Sequence, residues 1–125
     1  MTLPSNELLS KVLGKEVTHL KFIDACDARL GLRANDIVVS FGECNATYNA
    51  YELMHLMKEW TLKNNFCIVS ATFTAEEDDI EENWIKGVNY AWAEIHYEGK
   101  LFRADTEFEA VVQSCEWVLK QGDTK

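Results

Sequence analysis

At 125 residues, with 47% hydrophobic and 26% charged side chains, the chain is long enough to bury one core and too apolar to stay disordered. Twenty-one acidic residues outweigh twelve basic ones for a net charge of −9, which argues against direct docking on nucleic-acid phosphates or an anionic membrane. No apolar run reaches the roughly 18 residues of a membrane span, and the start Met1-Thr2-Leu3-Pro4-Ser5-Asn6-Glu7 lacks the basic-then-apolar pattern of a secretory signal, so the expected location is cytoplasmic.

The spacing of Leu8, Leu9, Val12 and Leu13 predicts a short helix over 5–13, which Gly14 can end in a left-handed conformation. Residues 16–23 read as a strand, and residues 24–34 as a mixed connection, with Asp24, Asp27, Gly31 and Asn35 as turn formers. Ile37 to Phe41 is a second strand, closed by Gly42. A long helix is expected over 50–63: Asn49 caps it, Glu52 completes a capping box, and Leu53, Leu56, Met57 and Trp60 form one stripe. Asn64 and Asn65 are its C-terminal cap. Residues 66–73 are nearly all apolar or β-branched, the mark of a central strand.

An acidic connection over 75–87 follows. From Tyr90 to Tyr97, Trp92, Glu94 and His96 alternate with Ala91, Ala93, Ile95 and Tyr97, so a strand buries one face. Glu98-Gly99-Lys100 turns the chain into the strand 101–104. Thr106 and Glu109 make a second capping box for a helix over 107–120, with Gly122 as its stop and a frayed tail beyond. The expected fold is one α+β domain over 1–125 in the order α-β-β-α-β-β-β-α. Its helices pack mainly on one face of an antiparallel sheet. The likeness of the two long helices is read as shared capping chemistry, not duplication.

Enzyme chemistry has weak support. Cys26, Cys44, Cys67 and Cys115 include no close pair of the kind that binds structural zinc, so reduced thiols are expected. His19, His55 and His96 are far apart, and Glu94 with His96 makes two groups where a site needs more. No phosphate loop, dinucleotide fingerprint or nucleophile elbow is present. A metal-dependent hydrolase using Asp78, Asp79, Glu94, His96, Glu98 and Lys100 is one alternative: Asp78 and Asp79 upstream of Glu98-x-Lys100 have the residue types that hold Mg²⁺ and polarise water. Gly99 between Glu98 and Lys100 argues for a hairpin turn there. No cofactor and no metal ligand are assigned.

Binding has better candidates. The acidic run Glu76, Glu77, Asp78, Asp79, Glu81, Glu82 lacks the alternating ligands of a calcium loop. It reads either as a solvated loop held off the sheet by its own repulsion or as a docking surface for a basic protein. Of four tryptophans, Trp60 lies on the helical core stripe. Trp84 follows the acidic run, Trp92 shares a strand face with charged residues, and Trp117 falls about opposite its helix's stripe. Patterning places these last three towards solvent, where aromatics mark interfaces. Trp117 packing under a neighbouring segment is the competing reading, and a homo-oligomer burying Trp117 is a further one.

The segments Asn49-Ala50-Tyr51-Glu52-Leu53 with Lys58-Glu59-Trp60, and Thr106-Glu107-Phe108-Glu109-Ala110 with Cys115-Glu116-Trp117, resemble paired helices of small uncharacterised bacterial and prophage proteins of epsilonproteobacterial type. The resemblance covers roughly the C-terminal two thirds, and Asn65 stands where such proteins often have Gly. It implies no activity. The expectation is therefore a non-enzymatic acidic interaction module, a phage- or prophage-linked accessory or regulatory protein. An immunity-type inhibitor of a basic toxin is a variant of that reading.

Overall fold

The computed structural model describes residues 1–123. The chain is α+β: α1 (Asn6–Leu13), β1 (His19–Phe22), β2 (Asp36–Ser40), β3 (Asn45–Asn49), α2 (Ala50–Lys63), β4 (Ile68–Thr74), β5 (Asn89–Ile95), β6 (Lys100–Ala104) and α3 (Glu107–Asp123). The strands form two antiparallel three-stranded meanders, β1-β2-β3 and β4-β5-β6. The structure thus adds one strand, β3, to the expected order and divides the strands between two sheets. α3 runs on through Gly122, which therefore does not stop it. The expected frayed tail at 124–125 lies outside the described residues.

Local chemistry accounts for the helix ends. The Ser5 hydroxyl accepts the Leu8 N–H at 3.0 Å to cap α1, and Gly14 ends it at φ 72°. Asn49 Oδ1 accepts the Glu52 N–H at 2.9 Å, and Thr106 Oγ1 accepts that of Glu109 at 3.2 Å. In both boxes the glutamate bonds the side chain of the cap, at 2.7 Å from Asn49 Nδ2 and 3.0 Å from Thr106 Oγ1. Each cap is thereby fixed from two directions.

The core forms where the apolar stripes meet. Leu8 and Leu9 of α1, Leu53 and Met57 of α2, and Val111, Val112 and Cys115 of α3 are fully or almost fully buried. They meet Ile37 and Val39 of β2 and Ala93 and Ile95 of β5 in one cluster. α3 packs against all three strands of the second sheet. Along β5, Ala91, Ala93 and Ile95 point inward, as the period-two pattern predicts. Tyr90, Trp92 and Glu94 point to the opposite, outer face.

The two halves share a layout that the sequence hides. Each is a three-stranded meander followed by a capped helix. In each, the first two strands are joined by a long loop pinched by one isolated backbone pair: Asp27 with Leu32 and Asp79 with Trp84, the two pairs being 52 residues apart. The same spacing relates the loop ends. Asn35 N–H donates to Ile23 O at 2.8 Å, and Gly87 N–H donates to Ala75 O at 2.9 Å. It also relates the left-handed positions, Gly31 (φ 67°) with Asn83 (φ 59°) and Asn35 (φ 71°) with Gly87 (φ 85°). The chain is internally repeated, so the likeness of α2 and α3 belongs to a larger repeating unit.

Candidate functional site

The outer face of the second sheet is a small grid set by strand register. Val69, Glu94 and Leu101 form one row, Ala71, Trp92 and Arg103 the next, and Phe73 and Tyr90 the third. The β4–β5 loop folds back over this face. Trp84 packs edge-on against Phe73 at 4.9 Å between ring centres and lies 6.3 Å from the Tyr90 ring. Ile85 N–H donates to Tyr90 Oη at 2.9 Å, and Glu82 pairs with Arg103 Nη1 at 2.8 Å. Those contacts overcome the loop's own repulsion, so the acidic run is not held off the sheet. The loop's turns are made by its acids: Asp78 Oδ1 accepts Lys86 N–H at 2.8 Å, and Asp79 Oδ1 accepts Glu82 N–H at 3.1 Å.

Loop and sheet enclose a cleft of about 820 Å³. Phe73, Trp84, Trp92 and Leu101 supply its apolar surface. Glu76, Glu77, Asp78, Asp79 and Glu94 supply five carboxylates against a single guanidinium, Arg103. Glu81 is exposed on the loop outside the cleft. At the loop tip Ile80 is 93% exposed, and Ile85 and Val88 are exposed beyond it.

The structure therefore gathers Glu76, Glu77, Asp78, Asp79, Trp84 and Trp92 into one place and ties Glu82 to it through Arg103. Trp117 lies elsewhere. It sits edge-on to Phe66 at 5.7 Å, with Lys100 Nζ 6.0 Å from its ring centre. None of the three tryptophans stands open to solvent. Each is half-buried: Trp84 against Phe73, Trp117 against Phe66, and Trp92 on the floor of the cleft. Phe73, Leu101 and Arg103 are cleft residues that the sequence reading missed. Their alternation with inward-facing neighbours was visible, but the loop that makes their face concave was not.

The residues of the hydrolase alternative do not converge. Asp78, Asp79 and Glu94 line the cleft, whereas Glu98 is exposed in the β5–β6 turn and Lys100 leans over Trp117. His96 falls in that turn rather than on the β5 face, its ring centre 3.8 Å from that of Tyr97 with the two planes tilted by 50°. Among the described residues no group of three or more His, Cys, Asp or Glu side chains is placed to hold a metal ion, and no helix is long and apolar enough to cross a membrane. Comparison of the chain with protein-family models, with curated proteins and with solved structures found no match.

Proposed function

We propose that this chain is a non-enzymatic, acidic interaction module that docks a basic partner protein in the cleft between the 76–88 loop and the second sheet. The carrying observation is the unequal dressing of two like halves. Where the second half pairs Phe73 with Tyr90 and Ala71 with Trp92, the first pairs Lys21 with Val38 and His19 with Ser40. Where the second loop carries six carboxylates over 76–82, the corresponding 24–30 carries Asp24 and Asp27 with Arg29. The pinched loop backbone forms in both halves with only Asp27 and Asp79 in common, so it does not require six carboxylates or an aromatic floor. Their concentration in one half is what a binding role explains and folding does not.

Negative potential focused in a cleft speeds encounter with a basic partner, and the aromatic floor supplies desolvated contact area. A prophage-linked accessory or regulatory protein and an immunity-type inhibitor of a basic toxin both fit this chemistry. They differ in the partner. A cytoplasmic setting, where the exposed Cys26, Cys44 and Cys67 stay reduced, belongs to the same proposal.

The test is capture of partners from source-cell lysate on the immobilised protein at low and high salt. A variant carrying Glu76→Gln, Glu77→Gln and Asp78→Asn runs beside it. One basic protein retained at low salt, released at high salt and lost with the variant is the expected result. Equal retention by the variant overturns the reading.

A further inference from the structure

The docking reading names a basic partner, and two unpartnered groups in the cleft narrow which basic side chain it takes. Trp92 makes no ring contact with another aromatic or with a cation among the described residues, in contrast to Trp84 and Trp117. Glu94, two residues along the same strand face and half-buried, has neither a hydrogen bond nor an ion pair for its carboxylate among the described residues. Both line the cleft. A half-buried carboxylate beside a half-buried indole suits a cation that is also flat. Ala71, opposite Trp92 in the register, puts only a methyl group beside the indole on that side.

The cleft already holds one guanidinium–carboxylate pair next to Trp92. Arg103, the other register partner of Trp92, brings its guanidinium to the Glu82 carboxylate at 2.8 Å, within the cleft. A guanidinium stacks on an indole face, sheds water readily and forks onto a carboxylate. An ammonium is a compact, strongly hydrated point charge and does none of these as well.

Resting on the docking reading, we infer that the cleft receives an arginine side chain from an extended segment of the partner. Its guanidinium lies on Trp92 and pairs with Glu94, while Glu76 and Glu77 attract neighbouring basic residues of the same segment. This arginine sits beside Arg103 and leaves the Glu82–Arg103 pair in place.

Three short unstructured peptides test this, with arginine, lysine or citrulline spaced by glycine and serine. The readout is the four indole N–H signals in proton–nitrogen correlation spectra of the full chain. The expected result is that the arginine peptide moves the Trp92 signal and leaves those of Trp60 and Trp117 still. It should bind about fivefold tighter than the lysine peptide, the size of one exposed cation–π contact, and the citrulline peptide should not bind. Glu94→Gln and, separately, Trp92→Leu should each bring arginine affinity down to that of lysine. Glu94 lies on the outer face, so its variant keeps the test alive if Trp92→Leu fails to fold. Equal binding of arginine and lysine peptides, or binding that shifts loop amides without moving Trp92, overturns the arginine inference and leaves acidic docking standing. Failure of both basic peptides to bind at low salt overturns both.

Discussion

Arg103 Nη1 lies 2.8 Å from the Glu82 carboxylate, and this contact ties the middle of the acidic loop to the edge strand β6 across the sheet. The two side chains are about half and one third exposed, so water screens the pair and its contribution to stability is small. Its consequence is positional: it holds the loop across the outer face of the second sheet.

Breaking that pair should therefore alter the loop more than the fold. In a double-mutant cycle with Glu82→Gln and Arg103→Gln, denaturant unfolding should give a coupling energy below about 1 kcal/mol. Limited proteolysis should cut within 76–88 faster in either single variant, while the core stays protected. A coupling energy several times larger would mean that the loop is part of the folding core.

Ser5 and Glu116 should matter more for stability. The Glu116 carboxylate accepts the Ser5 N–H at 3.1 Å and its hydroxyl at 2.8 Å, docking the N-cap of α1 onto α3. Glu116→Ala removes charge-assisted bonds in a part-buried setting and should cost about 1.5–3 kcal/mol, read as a lower denaturation midpoint at unchanged slope. Ser5→Ala also loses the Leu8 N–H bond of the cap, itself about 1 kcal/mol.

Cys115 predicts an alkaline limit. Burial pushes its thiol up from 9.0 to about 12, with the Ser114 side-chain hydrogen bond opposing the shift. The folded state thus keeps a proton that the unfolded chain releases above pH 9.0. Stability from this group is complete below that pH and falls between 9.0 and about 12, by up to about 1.4 kcal/mol per pH unit. Cys115→Ala should flatten that part of the stability–pH curve. A thiol reagent should label Cys26, Cys44 and Cys67 in the native protein and reach Cys115 only on unfolding.

The repeat makes Asn35 and Gly87 interchangeable. Both hold the left-handed backbone at the same place in their loops. Asn35→Gly and Gly87→Asn should each change unfolding free energy by less than about 1 kcal/mol, whereas Gly87→Val should cost about 1–3 kcal/mol. Circular dichroism during thermal unfolding is sufficient to tell these outcomes apart.

The long helices were readable because their signals are local: a cap, a glutamate three residues on, and a stripe. The inward and outward faces of β5 were readable for the same reason. β3 was not, because Asn45-Ala46-Thr47-Tyr48-Asn49 offers only Ala46 and Tyr48 to the inner face and begins and ends with a turn former. The repeat was hidden because the paired loop positions share almost no residues beyond Asp27 and Asp79. What they share is a pattern of left-handed positions met by Gly in one half and Asn in the other. The cleft needed Phe73 to meet Trp84, and Glu82 to reach Arg103. Both are tertiary contacts that no local spacing announces.

The first half also holds a spare. A second pinched loop of the same backbone already joins β1 and β2, beside a strand face dressed in Lys21, Val38 and Ser40 where the other carries Phe73, Tyr90 and Trp92. A handful of surface substitutions there, with no change of core, would turn a one-handed binder into a two-handed one. For a partner with two suitable segments at the right spacing, simultaneous engagement would multiply the apparent affinity by about a hundredfold or more without strengthening either contact.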